Sequence, residues 1–377
     1  MRMTPNAGGG SKRSRMLLVV TLALSMLIAA CGEDEGGGGG EQETVTLSAV
    51  SFLPPNHPIS EAAIPDWIET VERESGGSIK IDYRGGPEAI PTEDQFGAVV
   101  DGLVDIGFNV PTFYLNEVPT GNTMHLSPFT PGEERENGYF EYLDERHREG
   151  GAAYLGRWMS AMPFYLWSNS AISSLDELRG KRMRTSPTYQ QIFDALQVKA
   201  VNILPPEVFT ALERGVVDGF AFPLIGPRET GWLEVTEYLI NAPFYNQNGA
   251  IVMNPDKLDE LSDEQRQTLT DATSQFEDNV LVENFLELHR TEWEETTGLV
   301  DVVDLEPQQL DQFTELWYEE GWTALVDLWK ADQAAIDEAQ ELLDYDEFAG
   351  DPEKIRDIPC AAVGDEAADE PFCYPGK

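Results

Sequence analysis

Residues 174–219 read SLDELRGKRMRTSPTYQQIFDALQVKAVNILPPEVFTALERGVVDG, and this stretch decides the fold class. Lys181–Arg184 predicts a short strand, a helix is predicted from Pro206 to the glycine at Gly215, and Val216–Phe220 predicts a second strand. Strands that alternate with helices in this way indicate a largely parallel sheet with helices packed on its faces.

The same alternation precedes this stretch. Strands are predicted at Thr44–Phe52, Ile79–Tyr83 and Asp105–Phe108, with a helix before and after the second strand. The second of these helices is predicted to open with a capping box formed by Thr92 and Gln95. The chain therefore reads as two α/β units in tandem.

The C-terminal third is predicted to be mostly helical. A capping box of Ser262 and Gln265 opens this region, and helical spacing continues to about Tyr345. We expect breaks in the helices near Gly298 and Gly321, because glycine weakens a helix interior.

The amino terminus has the pattern of a secretory signal. A basic start precedes the apolar run Met16–Ala30, which at 15 residues is too short to span a bilayer comfortably. Small residues directly before Cys31 resemble the lipobox of bacterial lipoproteins, in which the cysteine is acylated; an ordinary signal peptide with a chance cysteine is the alternative. We expect a lipoprotein signal peptide at 1–30, a flexible Gly/Glu linker at 31–43, and a body held outside the cytoplasm by a lipid anchor.

Charge and cysteine content exclude several function classes. The formal net charge of -43 argues against nucleic acid as a partner, because a phosphate backbone would be repelled. Cys360 and Cys373 are predicted to form a disulfide within an acidic C-terminal tail at 346–377. No CxxC motif or histidine pair at helical spacing occurs, so we predict neither a cofactor nor a metal site.

Two segments of the 174–219 stretch resemble the signature of the solute-binding proteins of TRAP transporters, the DctP family. Leu175–Arg184 resembles the family segment L-x-D-L-x-G-x-K-x-R, with Glu177 where the family has aspartate. Glu207–Gly219 resembles the segment E-x-x-x-A-L-x-x-G-x-V-D-G, and a looser resemblance covers residues 44–345. The resemblance implies a two-lobed, periplasmic-binding-protein-like (type II-like) α/β fold, with hinge strands and a long helix across both lobes.

The resemblance also implies an arrangement of the lobes and a set of partners. Lobe I would comprise 44–162 plus 249–287, and lobe II 163–248 plus 288–345. A small organic anion would bind in the cleft between them, and small and large integral membrane subunits would receive it. Whether the protein forms a homodimer stays open, since some members of the family dimerise and others do not.

Arg184 is the residue to which the resemblance assigns the ligand carboxylate. A guanidinium offers a rigid fork of donors that matches two carboxylate oxygens. The alternative interpretation is an exposed arginine in a basic patch with Arg179, Lys181 and Arg182.

Aromatic residues stand where other family members carry polar groups. The sialic-acid-binding members have arginines at the positions of Phe113 and Phe164 and an asparagine at that of Phe222. The keto-acid-binding members have tryptophan at the Phe222 position, but their metal-ligating glutamate corresponds to Ala221, which argues against a bound cation. A pocket with one anion anchor and aromatic walls suits a monocarboxylate with an apolar or aromatic part. In this alignment Phe52, Asn109 and Asn246 lie at strand ends that face the cleft, and the other candidate ligand-binding residues are Trp167, Trp232, Tyr114 and Tyr245.

An enzyme is disfavoured because no GxSxG elbow, P-loop, HExxH motif or GxGxxG following a strand is present. Two alternatives stay open at this point. One is the substrate-binding lipoprotein of an ABC importer, which shares the tethered two-lobe plan. The other is a secreted lipoprotein hydrolase.

Overall fold

The computed structural model describes residues 43–203, 205–361 and 370–373, and within them the strands form one mixed sheet. The strands are β1 Val45–Ser51, β2 Ile79–Tyr83, β3 Ile106–Asn109, β4 Ala153–Ser168, β5 Arg182–Thr185, β6 Lys199–Asn202, β7 Gly219–Pro223, β8 Tyr238–Met253 and β9 Asp301–Val303. Their order in the sheet is β2-β1-β3-β8-β4-β7-β5-β6, and β9 pairs with β8.

Helices cover the sheet and build the C-terminal part of the described chain. They are α1 Pro58–Glu74, α2 Gln95–Val100, α3 Pro131–Asn137, α4 Tyr139–Glu149, α5 Gln190–Ala195, α6 Pro205–Glu213, α7 Pro255–Glu260, α8 Asp263–Phe276, α9 Val282–Thr297, α10 Pro307–Asp327, α11 Gln333–Leu342, α12 Tyr345–Phe348 and α13 Pro352–Ile355. Within the described ranges, no helix has both the length and the apolar character needed to cross a bilayer.

The sheet has two parallel halves joined by two long strands. In lobe I, β1 pairs in parallel with both β2 and β3, and in lobe II, β5 pairs in parallel with both β6 and β7. The strands β4 and β8, each 16 residues long, pair antiparallel with one another and pass from one half into the other. The two-lobed α/β fold with hinge strands that the sequence predicts is therefore present.

The hinge strands carry an unusual backbone conformation at the crossing. Ala161 in β4 has φ 52° and Tyr245 in β8 has φ 53°, and the pairing register shifts repeatedly between Met159 and Leu166. Left-handed backbone is uncommon for residues other than glycine because the Cβ approaches the following carbonyl. The two strands thus change their pairing at this point, between the part bonded to lobe I and the part bonded to lobe II.

A continuous helical segment connects the cores of the two lobes. The π-helical turn Glu277–Leu281 joins α8 to α9, so the helix runs without a break from one to the other. Phe276 and Phe285 pack in the apolar cluster of lobe I with Trp67 of α1, whereas Leu286 packs in the cluster of lobe II. This is the long helix across both lobes that the sequence predicts.

Two of the predicted helix signals are wrong. Gln95 does not complete a capping box with Thr92, because its amide donates instead to the carbonyls of Ser51 (2.7 Å) and Ile90 (2.9 Å). Gly321 does not break a helix but lies inside α10, where its missing side chain leaves room for Leu126. Tertiary packing decides both positions.

Two other helix signals are confirmed. Ser262 and Gln265 form the predicted capping box at the start of α8. The break at Gly298 is present, since α9 ends at Thr297.

The described part of the C-terminal tail packs against the hinge. Cys360 and Cys373 form a disulfide, and both are buried beside the lobe II cluster. Tyr165 of β4 donates its hydroxyl hydrogen to the carbonyl of Phe372. The tail at this point is part of the folded body rather than a loose extension.

Candidate functional site

Arg184 lies at the carboxyl end of β5 and is buried, with 6% of its surface exposed. Its Nε donates to the carbonyl of Ile203 at 3.0 Å, and its Nη1 donates to the hydroxyl of Tyr189 at 2.8 Å. A longer contact of 3.4 Å joins Nη1 to the carbonyl of Ala221. These bonds hold one side of the guanidinium and leave Nη2 without a hydrogen bond among the described residues.

Burial distinguishes Arg184 from the basic residues that precede it. Arg179 and Arg182 are exposed and form ion pairs with Asp176 and Asp218. Arg184, in contrast, forms no ion pair within the described part of the chain. A buried cation without an acidic partner is costly in free energy, so an anion bound beside it would stabilise it. The interpretation of Arg184 as an exposed patch residue is wrong.

Aromatic rings surround the guanidinium on the lobe II side. The carbon Cζ of Arg184 lies 5.7 Å from the ring centre of Phe222, a distance at which the ring face stabilises a cation. Phe164 of β4 contacts both Phe222, at 6.2 Å between ring centres, and Tyr189, at 5.3 Å. Burial raises the pKa of Tyr189, an effect that the neighbouring Arg184 partly opposes, so its hydroxyl stays a neutral donor and acceptor. The structure therefore brings Arg184, Phe164 and Phe222 together.

A second group of predicted residues meets on the lobe I side. The rings of Phe52 and Phe113 are 5.3 Å apart, and Phe52 also packs against Trp158 at 5.6 Å. The indole nitrogen of Trp158 donates to the carbonyl of Asn109 at 3.0 Å, which places Asn109 beside this group. The side-chain nitrogen Nδ2 of Asn109 is buried without a partner among the described residues. Phe113 is 41% exposed, whereas Phe164 and Tyr189 beside Arg184 are buried and Phe222 is half-buried.

Three other predicted residues are placed behind the aromatic wall or in the hinge. Trp232 packs on Phe222 at 5.0 Å, and the indole of Trp167 donates to the Phe222 carbonyl at 3.0 Å. Both tryptophans are buried and support the ring of Phe222 from behind. Asn246 accepts a hydrogen bond from the amide of Met162 at 3.1 Å and donates to the carbonyl of Ile358 at 3.3 Å. Its amide group is thus already occupied by the hinge and the tail.

The structure adds Tyr189, which sequence reasoning missed. Its hydroxyl binds Arg184 and donates to the carbonyl of Ala221 at 2.8 Å, so it fixes the orientation of the guanidinium. Tyr189 follows a proline turn five residues after Arg184. No sequence pattern distinguishes a tyrosine in such a turn from a core residue.

The described residues contain no group of side chains that could bind a metal ion. No three His, Cys, Asp or Glu side chains of the described ranges converge in a way that could hold one. Ala221, at the position of the metal-ligating glutamate of some family members, contributes only its carbonyl, which Tyr189 already occupies. The chemistry that this site can perform is recognition of an anion by charge and hydrogen bonding.

Comparison with known proteins agrees with this geometry. The family model described as bacterial extracellular solute-binding protein, family 7 (DctP), matches residues 49–319. A TRAP periplasmic solute-binding protein from Ochrobactrum anthropi, whose C-terminus is bound in the ligand-binding pocket, is similar at 21% identity and a TM-score of 0.69, over 81% of this chain and 97% of that one.

Two further structures carry small acids. A protein of the same kind from Desulfovibrio salexigens, with bound orotic acid, is 18% identical with a TM-score of 0.67, over 83% of this chain and 99% of that one. A marine metagenome TRAP solute-binding protein from an unidentified microbe, specific for aromatic acids and crystallised with 3-hydroxybenzoate, is 19% identical with a TM-score of 0.63, over 80% of this chain and 99% of that one.

Proposed function

Because the chain belongs to family 7 of the bacterial extracellular solute-binding proteins, we propose that it is the solute receptor of a TRAP-type secondary transporter. It captures a small organic anion between its two lobes and delivers the anion to small and large membrane subunits. The observation that carries this proposal is the buried guanidinium of Arg184, which has no acidic partner among the described residues and is held by Tyr189. A ligand carboxylate supplies the missing charge and gains strength as the cleft closes over it.

The ligand class that we propose is a monocarboxylate with an apolar or aromatic part. Phe164 and Phe222 line the anion site and offer ring surface rather than hydrogen bonds. A second carboxylate or many hydroxyl groups would be buried unpaired against these rings, at a cost of several kcal/mol (about 1–3 per neutral group). The relative crystallised with 3-hydroxybenzoate supports this class, since that ligand is an aromatic ring with one carboxylate.

We also propose that the mature protein is held outside the cytoplasm by a lipid on Cys31. This residue and the predicted signal peptide lie outside the described residues, so the proposal rests on the lipobox resemblance. Acylated Cys31 would keep the receptor in the membrane fraction, and Cys31→Ser should release it. Mass spectrometry of the amino-terminal peptide would show acyl groups on Cys31, and an unmodified cysteine or a soluble wild-type protein would refute the anchor.

The proposed function is tested by thermal-shift screening with matched ligands. Benzoate and phenylacetate should raise the melting temperature through binding linkage, whereas benzamide, which has the same ring without the charge, should not. Phthalate should bind more weakly than benzoate because its second carboxylate has no cation. If neutral amides stabilise the protein as well as acids do, or if no carboxylate in a broad panel binds, the proposal is wrong.

The alternatives predict different observations. A hydrolase would turn over members of an ester or glycoside panel, and we expect no product from this protein. A TRAP receptor is encoded beside a small four-helix and a large multi-span membrane protein, whereas an ABC receptor is encoded beside an ATPase. Genomic context therefore separates the two transporter types without purification.

A further inference from the structure

Tyr245 lies in the middle of the hinge strand β8 and combines two unusual features. Its backbone is left-handed, with φ 53°, which is a rare conformation for an aromatic residue. Its hydroxyl is buried and forms no short hydrogen bond among the described residues, where its one hydrogen-bonding neighbour is the Thr112 side chain. Strained backbone and a buried polar group without a short hydrogen bond at one residue typically mark a functional position.

The Tyr245 side chain lies between the anion site and lobe I. Its ring packs edge-on against Phe164 at 5.6 Å, and Phe164 in turn contacts Tyr189, the residue that binds Arg184. The Tyr245 phenol interacts electrostatically with Tyr189 on one side, and on the other side its hydroxyl is a hydrogen-bonding neighbour of the Thr112 side chain of lobe I. Burial raises the pKa of Tyr245 well above its ordinary value, so the hydroxyl is a neutral donor.

Two further buried donors without a short hydrogen bond lie next to Tyr245. Thr112 donates to Oδ1 of Asn122 at 3.4 Å, which leaves the Nδ2 hydrogens of Asn122 unpaired in a residue that is 2% exposed. The ring of His125 lies 5.0 Å from that of Tyr245, and its Nδ1 accepts from the amide of Asn248, so its proton is on Nε2. That Nε2 is also buried and forms no short hydrogen bond within the described chain, although the backbone of Asn246 is a hydrogen-bonding neighbour of the ring.

The three donors share a chemical character that limits what they can bind. A phenol, an amide and a neutral imidazole offer hydrogen bonds but no positive charge; burial and the charge of Arg157 lower the pKa of His125 to about 3. They therefore suit a neutral oxygen, such as a hydroxyl or a carbonyl, and suit a second carboxylate poorly.

We propose that Tyr245 and Asn122 form a second polar subsite, which binds a neutral oxygen on the part of the ligand remote from the carboxylate. This proposal rests on the proposed function and specifies its ligand further, as an aromatic monocarboxylate that carries a hydroxyl or carbonyl oxygen. Tyr189, which binds Arg184, and Tyr245 both pack against the Phe164 ring, at 5.3 Å and 5.6 Å between ring centres, so the anion site and the proposed subsite share this ring as a wall.

Affinities for matched ligands test this subsite. Binding of benzoate and of its 3- and 4-hydroxy and 3-acetyl derivatives is measured by calorimetry for the wild type and for Tyr245→Phe. We expect the best oxygenated acid to bind the wild type about 10- to 100-fold more tightly than benzoate, because an unmet buried donor is costly. Tyr245→Phe should reduce this ratio to below about threefold while the affinity for benzoate changes little.

A control tyrosine separates a ligand contact from a structural role. Tyr165→Phe removes a buried hydroxyl that is already bonded to the Phe372 carbonyl, so it should lower the melting temperature of the free protein and keep the ligand ratio. Tyr245→Phe should change the melting temperature less than Tyr165→Phe does, because the Tyr245 hydroxyl forms no short hydrogen bond among the described residues. Asn122→Ala should reduce the ratio in the same direction as Tyr245→Phe.

The outcomes distinguish the subsite from the proposed function. If acids bind in an Arg184-dependent way but the ratio in Tyr245→Phe equals that in the wild type, the subsite is refuted and the receptor proposal stands. The subsite is also refuted if the wild type binds benzoate and every oxygenated derivative equally, as expected if a bound water satisfies these donors. If no carboxylate binds the wild type, both proposals are wrong.

Discussion

Replacement of Arg184 is expected to remove most of the affinity for the ligand. The Nε and Nη1 atoms already bond to Ile203 and Tyr189, so the Nη2 side remains to form one or two bonds with a carboxylate. Hydrogen bonds to charged groups contribute about 1.5–3 kcal/mol each, so the loss is about 1.5–6 kcal/mol. That free energy corresponds to a rise in Kd of about 10- to 20,000-fold.

The assay is isothermal titration of Arg184→Met, Arg184→Lys and Arg182→Ala with the best acid from the ligand screen. Methionine keeps much of the apolar stem of the side chain, so it limits the loss of packing. Lysine keeps the charge but not the planar fork, and its affinity should fall between those of the wild type and Arg184→Met. Arg182, which is exposed and paired with Asp218, is the matched control and should bind ligand like the wild type.

Stability and pH complete this test. The melting temperature and circular dichroism of each free variant are recorded first, so that lost binding is not mistaken for unfolding. Because an arginine keeps its charge throughout the accessible pH range, wild-type affinity should be flat from about pH 6 to 9. A folded Arg184→Met protein that binds the acid within about threefold of the wild type would refute the role of this guanidinium.

Three further predictions concern stability. Cys373→Ser opens the disulfide loop, which has a sequence separation of 13, and should lower the free energy of unfolding by roughly 3 kcal/mol. A reductant should destabilise the wild type by the same amount. An unchanged midpoint of urea unfolding would contradict this prediction. Burial lowers the pKa of His289 to about 4. Below about pH 6.5 the unfolded chain therefore binds a proton on this residue that the folded chain does not bind, and the free energy of unfolding falls as the pH drops. His289→Gln should therefore lose about 2 kcal/mol less than the wild type between pH 7.5 and 5 in urea titrations, and equal losses would count against the argument. Ala161 has a left-handed φ of 52°, so Ala161→Gly should relieve strain and raise the free energy of unfolding by up to about 1 kcal/mol. The control Ala211→Gly, within a helix, should lower the free energy of unfolding by about 1 kcal/mol. A change of the same sign in both variants would be inconsistent with strain at the hinge.

The N-terminal strands and the helix caps show which structural features local sequence can predict. The strand pattern around 45–51, 79–83 and 106–109 predicts the parallel half of lobe I, because alternation and chain order are local properties. The capping box at Ser262 is likewise present, since its two hydrogen bonds lie within four consecutive residues. The prediction at Gln95 fails because that side chain is recruited by the distant carbonyl of Ser51. Local patterns therefore hold where no distant partner competes for the same group.

The sequence likewise predicts only part of the candidate site. From the sequence alone, the α/β class follows from periodicity, and the role proposed for Arg184 follows from its resemblance to a family motif. Only the tertiary structure shows that Arg184 is buried with no acidic partner among the described residues, that Tyr189 orients it, and that Tyr245 lies between the two lobes. Thr112 and Asn122 are far from Tyr245 in sequence, and each of the three is an ordinary polar or aromatic residue in its own segment. They become neighbours because the hinge strands β4 and β8 cross from one lobe to the other. After such a crossing, sheet register rather than local sequence decides which residues a side chain contacts.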